Sequence, residues 1–303
     1  MSTALRPAGA RAADRRPTRG PAGRHNRFRV RRILLYAALT TIVVVTLTPL
    51  VYAASTSLKP LSDALAHPAE LIPHPWTWHN YHEAWIRGGF YSYTLNTFLV
   101  TAGLVLLDLV ASSMLGYVLA RKHLPGQRAV EAVLTGTLFV GITTAMLYPQ
   151  YDLARRAGMA NQLGMVFVEY VGIAVIHTYL IKAFVQGLPT EVEESARLDG
   201  CGLLRIWWHV ALPLMRPILG TTVVLAFQAS WNNYQVPLAF SLNAPSLRTL
   251  TVGVSALQYD AAQGISSTNI VLAGSLIAVV PIIVVFLFLQ RNFVRGWTEG
   301  AIK

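Results

Sequence analysis

Amide and aromatic side chains are concentrated between residues 228 and 235, and this group is well suited to bind a polar solute. Its members are Gln228, Trp231, Asn232, Asn233, Tyr234 and Gln235. Amides exchange hydrogen bonds with hydroxyl groups, and aromatic faces stack on the CH faces of a sugar ring. The same residues also suit hydrogen bonds between helices, with the tryptophan at a membrane interface.

Three ionisable residues, Asp108, Glu169 and His177, interrupt long apolar stretches. An ionisable group inside a bilayer is costly and usually faces the interior of a helix bundle or a wet cavity. Asp108 is therefore a further candidate for a solute pathway. Two alternatives stay open: hydrogen bonds that join neighbouring helices, and a proton relay in a secondary carrier driven by the proton gradient.

No pattern of catalytic residues is present in the sequence. It has no Gly-x-x-x-x-Gly-Lys-Ser/Thr phosphate-binding loop, no His-Glu-x-x-His arrangement among its eight histidines and no Gly-x-Ser-x-Gly turn. The single cysteine, Cys201, excludes an internal disulfide and a cysteine-based metal cluster. We predict a chain that is not an enzyme, holds no metal and binds no cofactor of its own.

A polar segment, residues 188–217, lies between two apolar stretches. Within it, Thr190 and Glu193 have the spacing of a capping box, which predicts a short helix that starts at Glu191. Gly200 is expected to end this helix because glycine adopts the left-handed conformation of a helix terminus.

Small residues on the predicted helix would let a partner approach closely. At three- and four-residue spacing, one face carries Val192, Ser195, Ala196 and Asp199. A second short helix is predicted from Leu203 to Val210, and Pro217 is predicted to start the next span. An alternative is an amphipathic linker on the lipid surface, anchored by Trp207 and Trp208.

The elements that position these residues are membrane helices. The chain is 53% hydrophobic and 13% charged, with a mean hydropathy of +0.45, which is too apolar for a soluble domain. A membrane helix needs roughly 20 apolar residues. Six runs approach or exceed that length: Ile33–Ala54, Thr94–Leu119, Val130–Tyr151, Leu163–Phe184, Ile218–Phe240 and Ile270–Leu289.

The distribution of Lys and Arg predicts the orientation. The first 32 residues contain ten arginines and one acidic residue, Asp14, so the N-terminus is expected in the cytoplasm. Six crossings return the C-terminus to the same side. The net charge of +11 raises the alternative of nucleic-acid binding, but an N-terminus rich in Pro, Gly, Ala and Arg favours a disordered orientation signal.

These observations divide the chain into five parts. The prediction is a disordered basic cytoplasmic N-terminus (1–32), a first transmembrane helix (33–54), an extracytoplasmic loop (55–93), a five-helix core that includes the cytoplasmic segment 188–217 (94–289) and a cytoplasmic tail (290–303). Prolines and aromatic residues in the first outer loop indicate an ordered cap. A last outer loop is predicted from Asn243 to Thr268.

The order Glu194-Ser195-Ala196, three residues, Gly200, then Val210-Ala211-Leu212-Pro213 resembles the EAA loop of permease subunits in ATP-binding-cassette (ABC) importers. Other motifs from Asn96 to Lys303 are similar to those of the maltose-type, sugar-importing permeases. They are Asn96-Thr-Phe-Leu, Gly116-Tyr-Val-Leu-Ala-Arg121, Pro125-Gly126, Gly158-Met-Ala-Asn161, Trp231-Asn232-Asn233, Phe293-Val-Arg-Gly-Trp297 and Gly300-Ala-Ile-Lys303.

The resemblance implies an all-α polytopic membrane protein of the bacterial inner membrane, with the six-helix fold of type I ABC importer permeases. It implies that a second permease subunit, most often a different chain, completes the pathway. Two cytoplasmic ATPase subunits would hold ATP and Mg²⁺ and bind the EAA loops, and an extracytoplasmic solute-binding protein would deliver a sugar. The residues that the family would use for ATPase coupling are Glu194, Ser195, Ala196, Asp199, Gly200, Leu212 and Pro213.

Two positions depart from the family pattern. Ser195 stands in place of an alanine and stays small, so docking is expected to persist. Asn233 stands in place of an aspartate, which puts any role for a carboxylate there in doubt. Within ATP-driven import, a polyamine or another small polar compound is the alternative solute.

Overall fold

A computed structural model of the chain describes residues 22–86, 88–121, 125–139 and 146–300, and in these ranges it contains helices but no strands. The predicted all-α fold is confirmed. The chain divides into two compact units, residues 1–51 and 52–303.

The first unit contains most of helix α1, Ala22–Ser57. All side chains from residue 31 to 52 are exposed, and most of them are apolar, as expected of a helix that faces lipid. Because α1 starts before Ile33, the predicted disorder of residues 1–32 is wrong for residues 22–32. Arginine is a good helix former, so the helix extends into the basic sequence. Residues 1–21 lie outside the described residues.

The remaining helices belong to the second unit. They are α2 (Leu61–Ala66), α3 (His79–Ile86), α4 (Phe90–Arg121), α5 (Gln127–Phe139), α6 (Leu147–Arg156), α7 (Gln162–Gln186), α8 (Glu191–Leu198), α9 (Leu203–Ile206), α10 (Leu212–Leu214), α11 (Arg216–Trp231), α12 (Gln235–Ser241), α13 (Leu250–Ala262) and α14 (Thr268–Gly300). A π-helical turn, Trp207–Ala211, joins α9 to α10.

Four of the described helices, α1, α4, α7 and α14, are long and apolar enough to span a membrane. A fifth span is present if Leu203–Leu214 and Arg216–Trp231, which are bent by 83° against each other, are counted together. The predicted total of six spans stays a prediction. The last helix also continues past Leu289 to Gly300, into the segment predicted to be a tail.

The third predicted span, Val130–Tyr151, is not a single helix in the described part of the chain. Helix α5 ends at Phe139 and α6 begins at Leu147, and residues 140–145 lie outside the described residues. Helix α6, with ten residues, is too short to cross a bilayer alone.

The fifth predicted span, Ile218–Phe240, is interrupted after Trp231, and this part of the prediction is wrong. Asn232 donates its side-chain amide to the carbonyl of Gln228, and the side-chain oxygen of Asn233 accepts from the backbone N–H of Val236. Asparagine side chains that bond to nearby backbone groups compete with the helical hydrogen bonds, which favours a break at this point.

The two segments predicted to be outer loops are more ordered than plain connections. The predicted last outer loop contains helix α13, and the first contains α2 and α3. The ammonium group of Lys59, which is 1% exposed, donates to the carbonyls of His67 (2.8 Å) and Glu70 (2.6 Å). The carbonyl of Lys59 accepts from the amides of Asn80 (2.8 Å) and Asn269 (2.7 Å). These bonds fix the predicted first outer loop against the start of α14.

Helices α4 and α7 approach each other closely at two glycines of α4. A Cβ atom on Gly116 would lie 2.8 Å from the carbonyl oxygen of Thr178 and 2.9 Å from Cγ2 of Ile181. A Cβ atom on Gly103 would lie 2.9 Å from Cγ2 of Val166. Small residues allow this approach between membrane helices, where packing replaces the hydrophobic effect as the main attraction.

We predict that Gly116→Ala destabilises the protein by about 1 to 3 kcal/mol, because overpacking forces α4 away from α7. The change should lower the thermal unfolding midpoint of the purified protein in detergent. Gly136→Ala in α5 is the matched control, since no described atom lies within 4 Å of its added Cβ. Equal midpoints for the two variants would contradict the close packing.

Candidate functional site

Helix α8 has a well-defined C-terminal end. Gly200 has a φ of +81°, the left-handed conformation that the sequence predicted for it. The N–H of Cys201 donates to the carbonyl of Ala196, and the N–H of Gly200 donates to the carbonyl of Arg197, both at 3.0 Å. These two bonds form a Schellman motif, which satisfies carbonyls that the end of a helix leaves open. The chain direction after α8 is therefore fixed by local hydrogen bonds.

The start of α8 differs from the prediction. The side chain of Thr190 makes no capping hydrogen bond, so the predicted capping box with Glu193 is wrong. Glu193 is instead 3% exposed, and its carboxylate accepts from the hydroxyl of Tyr117 and from Nε of Arg121, both at 2.9 Å. A hydrogen bond between a guanidinium and a carboxylate is stronger than one to a neutral backbone N–H, and this favours the contact with α4.

The outward face of α8 and the two residues that follow it carry four of the seven predicted coupling residues. Glu194, Ser195 and Asp199 are exposed, whereas Ala196 is half-buried and packs against an apolar core. Ala196 therefore lies at the inner edge of the predicted partner face, whose contact with a partner stays a prediction. Leu198, which the sequence analysis did not single out, is 89% exposed and adds an apolar contact point to the exposed face.

The apolar core below α8, here called the loop core, contains residues of α4, α7 and the segment from α9 to α11. Its buried members are Tyr117, Ile181, Val185, Ile206, Trp207, Ala211, Met215 and Ile218. Leu212 packs against it, and Pro213 is exposed. The loop core thus seats the segment 188–217 directly on two of the long apolar helices.

The predicted regular helix from Leu203 to Val210 is replaced by α9 and the π-helical turn. Pro213 has no N–H to donate and its ring clashes with a carbonyl four residues earlier, so a wider turn before it relieves the conflict. The N–H of Leu212 accordingly donates to the carbonyl of Trp207. Trp207 is buried in the loop core, so the lipid-anchor alternative fails for it, while Trp208 is 59% exposed.

A cavity of about 580 Å³ lies between α4, α5, α6, α7, α11 and α12. Leucine, valine and isoleucine side chains form much of its wall. Its polar residues include Gln150, Glu169, Ser230, Asn233 and Gln235. Gln150 and Ser230 were missed by the sequence analysis, because single polar residues within or beside apolar runs do not form a recognisable motif.

Of the cluster 228–235, Asn233 and Gln235 line this cavity. Gln228, Asn232 and Tyr234 are exposed, and Tyr234 lines a separate cavity of about 490 Å³ beside α13. Trp231 is buried, and its ring N–H donates to the carbonyl of Ala278 at 3.0 Å. The structure therefore spreads the cluster 228–235 over several environments.

Asp108 is buried between α4 and α7, and it does not line either cavity. Its carboxylate accepts from the hydroxyl of Ser112 (2.7 Å), and its other oxygen lies 2.8 Å from Nδ1 of His177. Glu169 makes a similar contact, since Oε2 accepts from the hydroxyl of Ser230 in α11 at 2.6 Å. All three ionisable residues therefore take part in hydrogen bonds between helices: Asp108 with His177, and Glu169 with Ser230.

Residues 133–299 match the family described as "Binding-protein-dependent transport system inner membrane component". The chain is 31% identical over 251 residues to the melibiose/raffinose/stachyose import permease protein MelC of Bacillus subtilis, covering 82% of this chain and 88% of that protein. It is 30% identical over 277 residues to the trehalose transport system permease protein SugB of Mycobacterium tuberculosis, covering 90% and 98%.

A solved structure has the same fold. It is a chain of a bacterial ABC transporter involved in the import of the acidic polysaccharide alginate, with a TM-score of 0.73 at 22% sequence identity. The match covers 88% of this chain and 97% of that one. Taken with the apolar helices, the family match shows that this chain belongs to the binding-protein-dependent transport system inner membrane components and is a multi-pass protein of that membrane.

Proposed function

We propose that this chain is a permease subunit of an ATP-driven importer and that its solute is a sugar or an oligosaccharide. The observation that carries the proposal is the exposed face of α8, which presents carboxylates and an apolar side chain from a helix seated on the loop core. MelC and SugB, whose names specify sugars, support the choice of solute.

The proposed partners follow from the family. A second permease subunit completes the pathway, a pair of ATPase subunits binds α8 and its counterpart, and a solute-binding protein delivers the sugar from outside. ATP and Mg²⁺ bind to the ATPases, because this sequence has no phosphate-binding loop. The arginine-rich N-terminus supports a cytoplasmic location for that end, and with six spans the C-terminus and α8 lie on the same side.

The cavity beside α7 is the proposed solute pathway in this subunit. Its volume of about 580 Å³ lies in the range of small-molecule sites, roughly 300 to 1,000 Å³. Amide groups and a hydroxyl on an otherwise apolar wall suit a solute with many hydroxyl groups. The contact between Asp108 and His177 favours a structural role for this pair over a proton relay.

The proposal is tested with vesicles that contain the whole complex, with the binding protein and radiolabelled sugar outside and ATP inside. Uptake is expected to require ATP and to persist when a protonophore collapses the proton gradient. Uptake that stops with the gradient and ignores ATP would support a secondary carrier instead. A panel of disaccharides, trisaccharides and polyamines identifies the solute class.

We predict that Glu194→Lys weakens binding of the ATPase by at least about 2 kcal/mol, roughly thirtyfold, if its carboxylate faces a basic residue of the partner. The measurement is retention of the ATPase on the affinity-purified permease over a range of ATPase concentrations. Glu70→Lys is the matched control, because Glu70 is exposed on the first outer loop. Equal retention for both variants would exclude Glu194 from the docking surface.

We also predict that Gln235→Leu lowers the maximal uptake rate by about two- to tenfold, the effect of losing one hydrogen bond of about 0.5 to 1.5 kcal/mol. The half-saturating sugar concentration should stay constant, since the binding protein captures the sugar before it reaches the cavity. Gln263→Leu, at the exposed end of α13, is the control. An unchanged maximal rate for Gln235→Leu would contradict a pathway through this cavity.

A further inference from the structure

Helix α8 is too short to hold its own position. It has eight residues, and isolated helices below about 12 to 15 residues are marginal in water. Short connections separate it from α7 and α9. Its orientation relative to the long helices is therefore set by the contacts of its inward side chains.

The most specific of these contacts is made by Glu193. Tyr117 bonds to one carboxylate oxygen and Arg121 to the other, so both oxygens are used. The guanidinium of Arg121 also donates to the carbonyl of Leu188 at 2.9 Å. Arg121 thus binds both the Glu193 side chain of α8 and the backbone carbonyl of Leu188, which precedes α8.

The side chains of Glu193, Tyr117 and Arg121 are buried, and burial restricts the geometry of their contacts. The side chains of Arg121 and Glu193 are 8% and 4% exposed. Burial reduces screening by salt and water, and a buried charge that loses its partner is strongly disfavoured. Small displacements of α8 relative to α4 therefore meet a steep restoring force.

The ionic character of the contact points to positioning rather than to stability alone. Well-packed apolar residues often stabilise a buried site as well as an ion pair does. An ion pair with a tyrosine adds fixed distances and directions. The next residue, Glu194, faces outward, so adjacent carboxylates have opposite surroundings.

We propose that Glu193, Arg121 and Tyr117, here called the α4–α8 tie, transmit the movement of α8 to helix α4. The proposal rests on the proposed function, in which an ATPase displaces α8. Because α4 packs closely against α7 at Gly116, a displacement of its end is carried into the helices that line the cavity. Glu193 and Arg121 are positioning residues, distinct from the exposed residues that would bind the ATPase.

The test compares Glu193→Gln, Arg121→Gln and the exchange Glu193→Arg with Arg121→Glu in the reconstituted complex with its ATPase and binding protein. Three quantities are measured: ATPase retention, ATP hydrolysis and sugar uptake per ATP hydrolysed. The single variants are expected to retain the ATPase and to lower uptake per ATP on the order of tenfold, a normal size for coupling between sites. The exchange should recover part of this loss.

Further variants distinguish loss of the α4–α8 tie from a defect in folding. Tyr117→Phe removes one hydrogen bond without a change of volume, and it should lower uptake per ATP in a subunit that inserts normally. Arg156→Gln, which breaks the exposed pair of Arg156 with Asp152, should leave coupling unchanged. If Glu193→Gln releases the ATPase, or if the single variants keep normal uptake per ATP, the tie is refuted.

The double exchange variant and the wild-type complex give the remaining tests. An exchange that performs no better than the single variants also counts against the tie. A wild-type complex that binds no ATPase or imports no sugar refutes the proposed function itself. A wild-type complex that is active, with variants that are fully coupled, refutes the tie alone.

Discussion

The close packing of α4 against α7 is the contact on which the second unit depends. It requires glycine at positions 103 and 116, where a side chain would meet Val166, Ile181 or the backbone at Thr178. In lipid, such packing must provide what the hydrophobic effect provides in water. The buried pair of Asp108 and His177 then fixes the register of the two helices. At the C-terminal end of α4, Arg121 donates a hydrogen bond to Glu193, so the same helix also supports α8.

The long apolar helices and the end of α8 could be predicted from sequence because their causes are local. A run of about 20 apolar residues spans a membrane whatever its neighbours are. Gly200 ends α8 through bonds to residues of the preceding turn, so its role depends on nearby sequence. Both predictions need no knowledge of the rest of the fold.

The predictions that failed depend on distant partners or on a choice between equivalent bonds. Glu193 has the correct spacing for a capping box, but its actual partner Arg121 lies 72 positions earlier in the chain. Asn232 and Asn233 bear the same amides whether they bind a solute, a neighbouring helix or their own backbone. Sequence alone does not rank these uses, and the break after Trp231 results from the last of them.

Helix α7 connects the polar contacts of the second unit. It bonds to α4 through His177, to α11 through Glu169 and to α5 through Lys182, whose ammonium lies 2.8 Å from the carboxylate of Glu131. Polar groups inside a bilayer are unfavourable in free energy, and each of these groups holds one neighbouring helix in place. The cavity is lined by the stretch of α7 from residue 168 to 175, which contains Glu169, the bond to α11, and ends two residues before His177, the bond to α4. A shift of α7 therefore changes the spacing between the cavity walls, while the bonds keep each neighbour in register.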